Sequence, residues 1–146
     1  MNSYICLFCL IAYCIFLCLK NSCSMNIKTF MNQFFTNKYV AFAVTIAILI
    51  LCSLPSREVP LSTNINDKAA HFLAFGIWSF CWQASFGKYI QTILLGFLYG
   101  ILIESWQGYI LPESFHRSFD WYDAIADGIG VIIGVGLWKL KNLLNL

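Results

Sequence analysis

Between residues 96 and 134 an apolar sequence is interrupted by polar residues and glycines in a regular order. Gly96, Gly100, Glu104 and Gln107 follow one another at offsets of four, four and three, and on a helix of about 3.6 residues per turn that spacing puts them on one face. Asp123, Asp127, Gly130 and Gly134 repeat the pattern at offsets of four, three and four. Each face has glycines at one end and carboxylates at the other. Two such faces can meet through their glycines and bring their acids to one level. Arg117 and Asp120 stand just ahead of the second face, and Asp67 and His71, one helical turn apart, lie upstream. A histidine beside a carboxylate can act as acid or base, and a guanidinium can hold phosphate or carboxylate.

The elements that position these residues are membrane helices. The chain of 146 residues is 60% hydrophobic and only 11% charged, where a soluble domain carries roughly 25% charged residues. The length fits one domain, with no internal repeat and no basic run that would suggest nucleic acid. Four apolar stretches, about 39–54, 69–86, 89–110 and 121–140, read as spans. Pro55 stops the first, Lys88 marks the turn between the second and third, and 112–118 forms a loop before the fourth. The expected fold is therefore all-α, a polytopic bundle of four transmembrane helices over residues 39–141.

Two segments precede that domain. Residues 25–38 carry Ile27, Phe30, Met31 and Phe34 at helical spacing, which reads as an amphipathic segment at the membrane surface or as a juxtamembrane linker. Residues 1–24 are apolar and hold Cys6, Cys9, Cys14, Cys18 and Cys23. Nothing charged precedes Lys20, and no small-residue cleavage site follows the apolar run, so a signal peptide is disfavoured. The segment is either a fifth membrane helix or the product of a start placed too early, with translation beginning at Met25. Cys52 and Cys81 read as packing residues within spans.

Orientation follows from the short loops. Lys20, Lys28, Lys38, Lys88, Lys139 and Lys141 fall on one side, against Arg57, Lys68 and Arg117 on the other. That bias places both ends of the four-helix core in the cytoplasm. Asp67, His71, Glu104, Gln107, Arg117, Asp120, Asp123 and Asp127 then all stand near the outer face.

The motifs Asp67-Lys68-x-x-His71-Phe72, Tyr99-Gly100-x-x-x-Glu104-x-x-Gln107 and Arg117-Ser118-Phe119-Asp120-x-x-Asp123-x-x-Ala126-Asp127-x-x-Gly130 together resemble the VanZ-like family of bacterial membrane proteins. The resemblance covers about residues 39–140 and leaves the first 24 without a counterpart, which favours the start at Met25. It implies a multi-pass protein of the bacterial cytoplasmic membrane connected with glycopeptide sensitivity. Family members often carry Asn where this chain has Asp127, so the polar nest here is the more acidic.

Each residue also has a plain structural reading. Asp67 and Asp120 read as helix caps, with Asp123 as a first-turn acid. Carboxylates inside a span cost about 3 kcal/mol or more at mid-span, so Glu104, Asp123 and Asp127 form either a functional site or a structural clasp. Arg117 is expected to fold back over Glu104 and Asp123. Gly96, Gly100, Gly130 and Gly134 serve helix packing, and Trp78, Trp82, Trp106, Trp121 and Trp138 read as mostly interfacial or lipid-facing rings. The spacing of Gly128 to Gly136 is not a dinucleotide fingerprint. One histidine among acids on separate segments shows no metal-ligand spacing, and no cofactor is implied.

Three functional classes fit. The first is a binding protein whose outward nest engages a membrane lipid head group, a cell-wall lipid precursor or a glycopeptide, with Arg117 and His71 meeting phosphate. The second is an intramembrane acid–base enzyme using His71 beside Glu104 and Asp123; no serine or cysteine nucleophile is placed for a covalent route. The third is a small transporter, for which four short spans require a homo-oligomer. The topology is tested by single cysteines on a cysteine-free background. Those in residues 56–66 and 112–118 should react with an impermeant thiol reagent in whole cells, while Lys88→Cys and Lys141→Cys stay protected; the reverse pattern would invert the orientation.

Overall fold

The structure, a computed structural model, describes residues 27–55 and 67–144. The cysteine-rich residues 1–24, the start expected at Met25 and the loop 56–66 lie outside the described residues. The described chain is helical, without a strand: α1 (Ile27–Phe35), α2 (Lys38–Cys52), α3 (Asp67–Phe86), α4 (Tyr89–Tyr109), a 3-10 turn (Glu113–Phe115) and α5 (Trp121–Leu143). The all-α expectation holds, and the boundaries of α2 to α5 agree with the four apolar stretches to within three residues.

Local chemistry explains the breaks. The Asn37 side chain accepts the Tyr39 N–H at 2.9 Å and starts α2, where the chain bends by 58° out of the preceding helix. Gly87, at φ +67°, makes the turn from α3 to α4 in a conformation that costs a side-chain-bearing residue about 1 kcal/mol or more. Asp120 caps α5 by accepting the Tyr122 N–H at 2.8 Å.

Contacts along the helices set their directions. Ser85 of α3 donates to the Phe35 carbonyl at the entrance to α2, and Trp78 and Trp82 donate to Thr45 Oγ1 at mid-helix. α2 and α3 are therefore antiparallel. α4 returns beside α2, with Tyr99 donating to the Thr45 carbonyl and Gln107 to the Cys52 carbonyl. α5 descends beside α3 in the same direction: Lys68 pairs with Asp120 and Asp123, and Phe80 meets Trp138 edge-on. The result is an up-down-up-down bundle with α3 at its centre. Phe75, Trp78, Ile103, Val131 and Ile48 form its core.

The glycines work differently from the expectation that the two faces meet through them. Gly96 and Gly100 of α4 face Val131 and Asp127 of α5, where an added Cβ would lie 2.6 Å from Val131 Cγ2 and 3.0 Å from Asp127 Cβ. Gly130 and Gly134 of α5 face α3 instead, where a Cβ would overlap the Phe72 and Gly76 carbonyls. The reason is that α5 lies in the angle between α3 and α4 and uses adjacent stripes for the two contacts.

The tryptophans divide as well. Trp121 and Trp106 are exposed, but Trp78 and Trp138 are buried, correcting the expectation of interfacial rings. A buried indole N–H needs a partner, and the Thr45 hydroxyl provides it for Trp78 at 2.8 Å. Cys52 and Cys81 are free thiols, Cys81 within a packed cluster as expected. α4 is the one described helix that by itself is long and apolar enough to cross a membrane, and the bent α1–α2 pair passes jointly. Only 28% of the apolar window of α4 is buried in the structure, so Leu94, Leu98, Ile101 and Leu102 face outward. α3 and α5 carry the polar residues and are correspondingly less apolar.

The α3–α5 contact can be tested directly. Gly134→Ala should destabilise the detergent-solubilised protein by about 1–3 kcal/mol or more, because the new methyl meets backbone that cannot rotate away. Gly136→Ala, with nothing within 4 Å of its added Cβ, should leave the melting temperature unchanged or slightly higher.

Candidate functional site

The polar residues gather at the end of the bundle where α3 and α5 begin and α4 finishes, in two layers. At the rim, Lys68 of α3 donates to Asp120 Oδ2 at 2.8 Å and to Asp123 Oδ1 at 3.0 Å. Lys68 and Asp120 are part-exposed, while the Asp123 side chain is 9% exposed. Lys68, and after it the Tyr122 N–H, hold the Asp120 carboxyl below the usual aspartate range. A depressed carboxyl pKa adds stability that is present above its unfolded value of about 3.9 and is lost as pH falls through the folded value.

Below the rim lies a buried layer. His71 Nδ1 is 3.0 Å from Asp127 Oδ1 and 3.6 Å from Glu104 Oε1. All three residues are buried, Glu104 and Asp127 completely. The other Glu104 oxygen, Oε2, accepts the Asp120 N–H at 3.2 Å, which ties the end of α4 to the cap of α5. Glu104 Oε1 and Asp127 Oδ2 are left without a hydrogen-bond partner. The bare backbone at Gly100 admits the Asp127 carboxylate, since a Cβ there would stand 3.1 Å from Oδ2.

The sequence-predicted residues are thus mostly brought together. Asp67, His71, Glu104, Asp123 and Asp127 converge from three helices, with Asp120 serving both as a cap and as a salt-bridge partner. Arg117 departs from expectation. It does not cover Glu104 and Asp123; its Nε–H donates to the Leu54 carbonyl at 3.4 Å, and Nη1 is 3.6 Å from Asp67 Oδ2. A guanidinium suits the free carbonyls at the end of α2, and the parallel packing of α3 and α5 has already put Lys68 beside Asp123. Gln107 is tied to α2 instead, donating to the Cys52 carbonyl at 3.1 Å.

Some contributors escaped the sequence reading. Lys68 stood out there only as a motif member and a loop charge. Thr45 was missed, although a lone threonine hydroxyl inside an apolar span is itself a signal of a buried partner. Gln83, fully buried near the other end of α3, has neither side-chain atom hydrogen-bonded. The metal expectation also meets a new fact: donor atoms of His71, Glu104 and Asp127 lie within 4.8 Å of one another, as do those of Asp67, His71 and Asp123.

Fold and site together define a helical-bundle protein with an apolar exterior and a buried histidine–carboxylate cluster at one end. The chain belongs to the VanZ/LLP1 family, whose model matches residues 4–142. The members of that family are generally membrane-associated, in keeping with the outward apolar face of α4. The match begins within the cysteine-rich segment, so the argument for Met25 from a missing family counterpart falls away. No curated protein and no solved structure matches the chain.

The pairing scheme makes a distinct prediction. Lys68→Met should lower the melting temperature in detergent by leaving Asp123 unpaired, and Asp123→Asn on that background should recover most of the loss. Glu104→Gln should not rescue Arg117→Ala, because the two side chains do not share a pair.

Proposed function

We propose that this is a four-span protein of the bacterial cytoplasmic membrane whose outward polar end engages the head group of an envelope lipid. The observation that carries the reading is the convergence of Asp67, His71, Glu104, Asp123 and Asp127 at one end of a bundle clothed in Ile, Leu and Phe. Charges inside a membrane bundle are costly and mark a polar ligand or pathway by default. The up-down order puts the start of α2 and the end of α5 at the opposite end, where Lys141 also bonds Asn32. Together with the lysine-rich loops, that supports the placement of both ends of the core in the cytoplasm.

The charge balance refines the ligand. Lys68 and Arg117 face five carboxylates, Asp67, Glu104, Asp120, Asp123 and Asp127, and both cations are already in ion pairs. Such a site attracts a cation. A head group carrying an amine fits it better than a bare phosphate read by Arg117 and His71. An apolar groove of about 470 Å³ between α2 and α4, lined by Leu49, Tyr99, Leu102, Trp106 and Ile110, reaches the same end of the bundle and suits an acyl chain. The 3.0 Å His71–Asp127 pair favours a second reading, proton transfer on such a lipid.

Native mass spectrometry of detergent-extracted protein tests the first reading. Retained lipid should be phosphatidylethanolamine in preference to phosphatidylglycerol, and Asp67→Asn with Asp123→Asn should erase that preference. Protein that releases bare from the micelle, or that favours the anionic lipid, would count against it. A deletion strain with altered teicoplanin sensitivity would tie the binding to the envelope.

A further inference from the structure

The deep layer holds more acidic groups than basic ones. Glu104 and Asp127 are both fully buried and share a single imidazole, while Lys68 and Arg117 are committed at the rim. Glu104 Oε1 points at His71 Nδ1 from 3.6 Å without a hydrogen bond, and Asp127 Oδ2 also lacks one. Leaving a buried carboxylate oxygen unpartnered costs about 1–3 kcal/mol, and Glu104 Oε1, aimed at a ring nitrogen that already meets Asp127 Oδ1, calls for a positive centre between them.

The spacing identifies what that centre can be. A tetrahedral ion with bonds of about 2.0–2.1 Å to nitrogen and 2.0–2.2 Å to oxygen holds its ligand atoms roughly 3.3–3.5 Å apart. The observed separations from His71 Nδ1, 3.0 Å to Asp127 Oδ1 and 3.6 Å to Glu104 Oε1, bracket that value. One neutral imidazole and two carboxylates carry a formal charge that a divalent cation cancels. The donor set of one nitrogen and two oxygens suits a borderline transition ion, whereas Mg²⁺ and Ca²⁺ prefer oxygen alone.

From this geometry we infer that His71, Glu104 and Asp127 form a binding site for one divalent transition-metal ion of the Zn²⁺ class, bridging α3, α4 and α5. Three protein ligands leave a further position for water or a ligand oxygen. The neighbouring structure is arranged accordingly: Gly100 admits the Asp127 carboxylate, and the Asp120 N–H fixes the far oxygen of Glu104. No motif spacing announces such a site, because each helix contributes one ligand.

The test uses the full chain in detergent, stripped with a chelator and titrated with ZnCl₂ alone, then with CoCl₂ as an optical probe. One equivalent of Zn²⁺ should bind and raise the melting temperature, and Co²⁺ should give the intense visible bands of a low-coordinate nitrogen–oxygen site. Glu104→Gln should weaken Zn²⁺ binding by about tenfold or more while melting at or above the wild-type temperature in chelator, since it removes a buried acidic group that has an unpartnered oxygen. Gln83→Leu, about three turns along α3 from His71, should bind like wild type. Asp127→Asn provides the same comparison if the Glu104 variant does not fold. Equal Zn²⁺ affinity in wild type and both ligand variants, or no Co²⁺ bands in the wild type, would overturn the site. Lipid retention measured in the chelator-treated protein keeps the head-group reading separate from this one.

Discussion

The contact between His71, Asp127 and Glu104 constrains everything around it. Each residue belongs to a different helix, each is buried, and none could stand alone in an apolar medium. Satisfying them requires α3, α4 and α5 to meet at one level, which in turn demands a close approach of backbones. Gly100 opposite Asp127, and Gly130 and Gly134 against α3, make that approach sterically feasible. The helices are bound less by apolar burial, which a lipid environment rewards weakly, than by close packing and polar pairing.

The second layer protects the first. Asp120 ends the loop, caps α5, offers its N–H to Glu104 and accepts from Lys68. One residue thus couples the end of α4 to the starts of α3 and α5. Arg117 closes the remaining side by holding the end of α2 and meeting Asp67. On the far side of α3, Thr45 gathers the polar ends of Trp78, Trp82 and Tyr99 onto α2. α2 is therefore joined to the bundle through hydrogen bonds donated by Trp78, Trp82, Tyr99, Gln107 and Arg117, and α5 through glycine contacts and ion pairs.

Functionally, the arrangement is asymmetric. The end opposite the cluster has scattered lysines and the unpartnered Gln83 amide, while the cluster itself gathers Asp67, Glu104, Asp120, Asp123 and Asp127 with His71, Lys68 and Arg117. An excess of acid in a partly closed, low-dielectric setting selects for cationic groups. That preference is common to an amine-bearing head group at the rim and a metal ion in the buried layer, and both proposals descend from it.

Residue order alone determined the helical class, the positions of α2 to α5 and most members of the cluster. Apolar runs bounded by Pro55, Lys88 and Asp120 leave little freedom in where helices begin and end, and isolated acids within such runs are conspicuous. Glu104, Asp123, Asp127 and His71 were legible for that reason. The partners were not. Whether Arg117 or Lys68 meets Asp123 depends on α3 running parallel to α5 with level starts, a long-range relation that periodicity along one helix does not encode. The same relation turned Gly130 and Gly134 toward α3 and left Gly96 and Gly100 to α4's contact with Val131 and Asp127. It also buried Trp78 against Thr45 rather than at an interface. Spacing along a helix shows which residues share a face; only the packed bundle decides what that face touches.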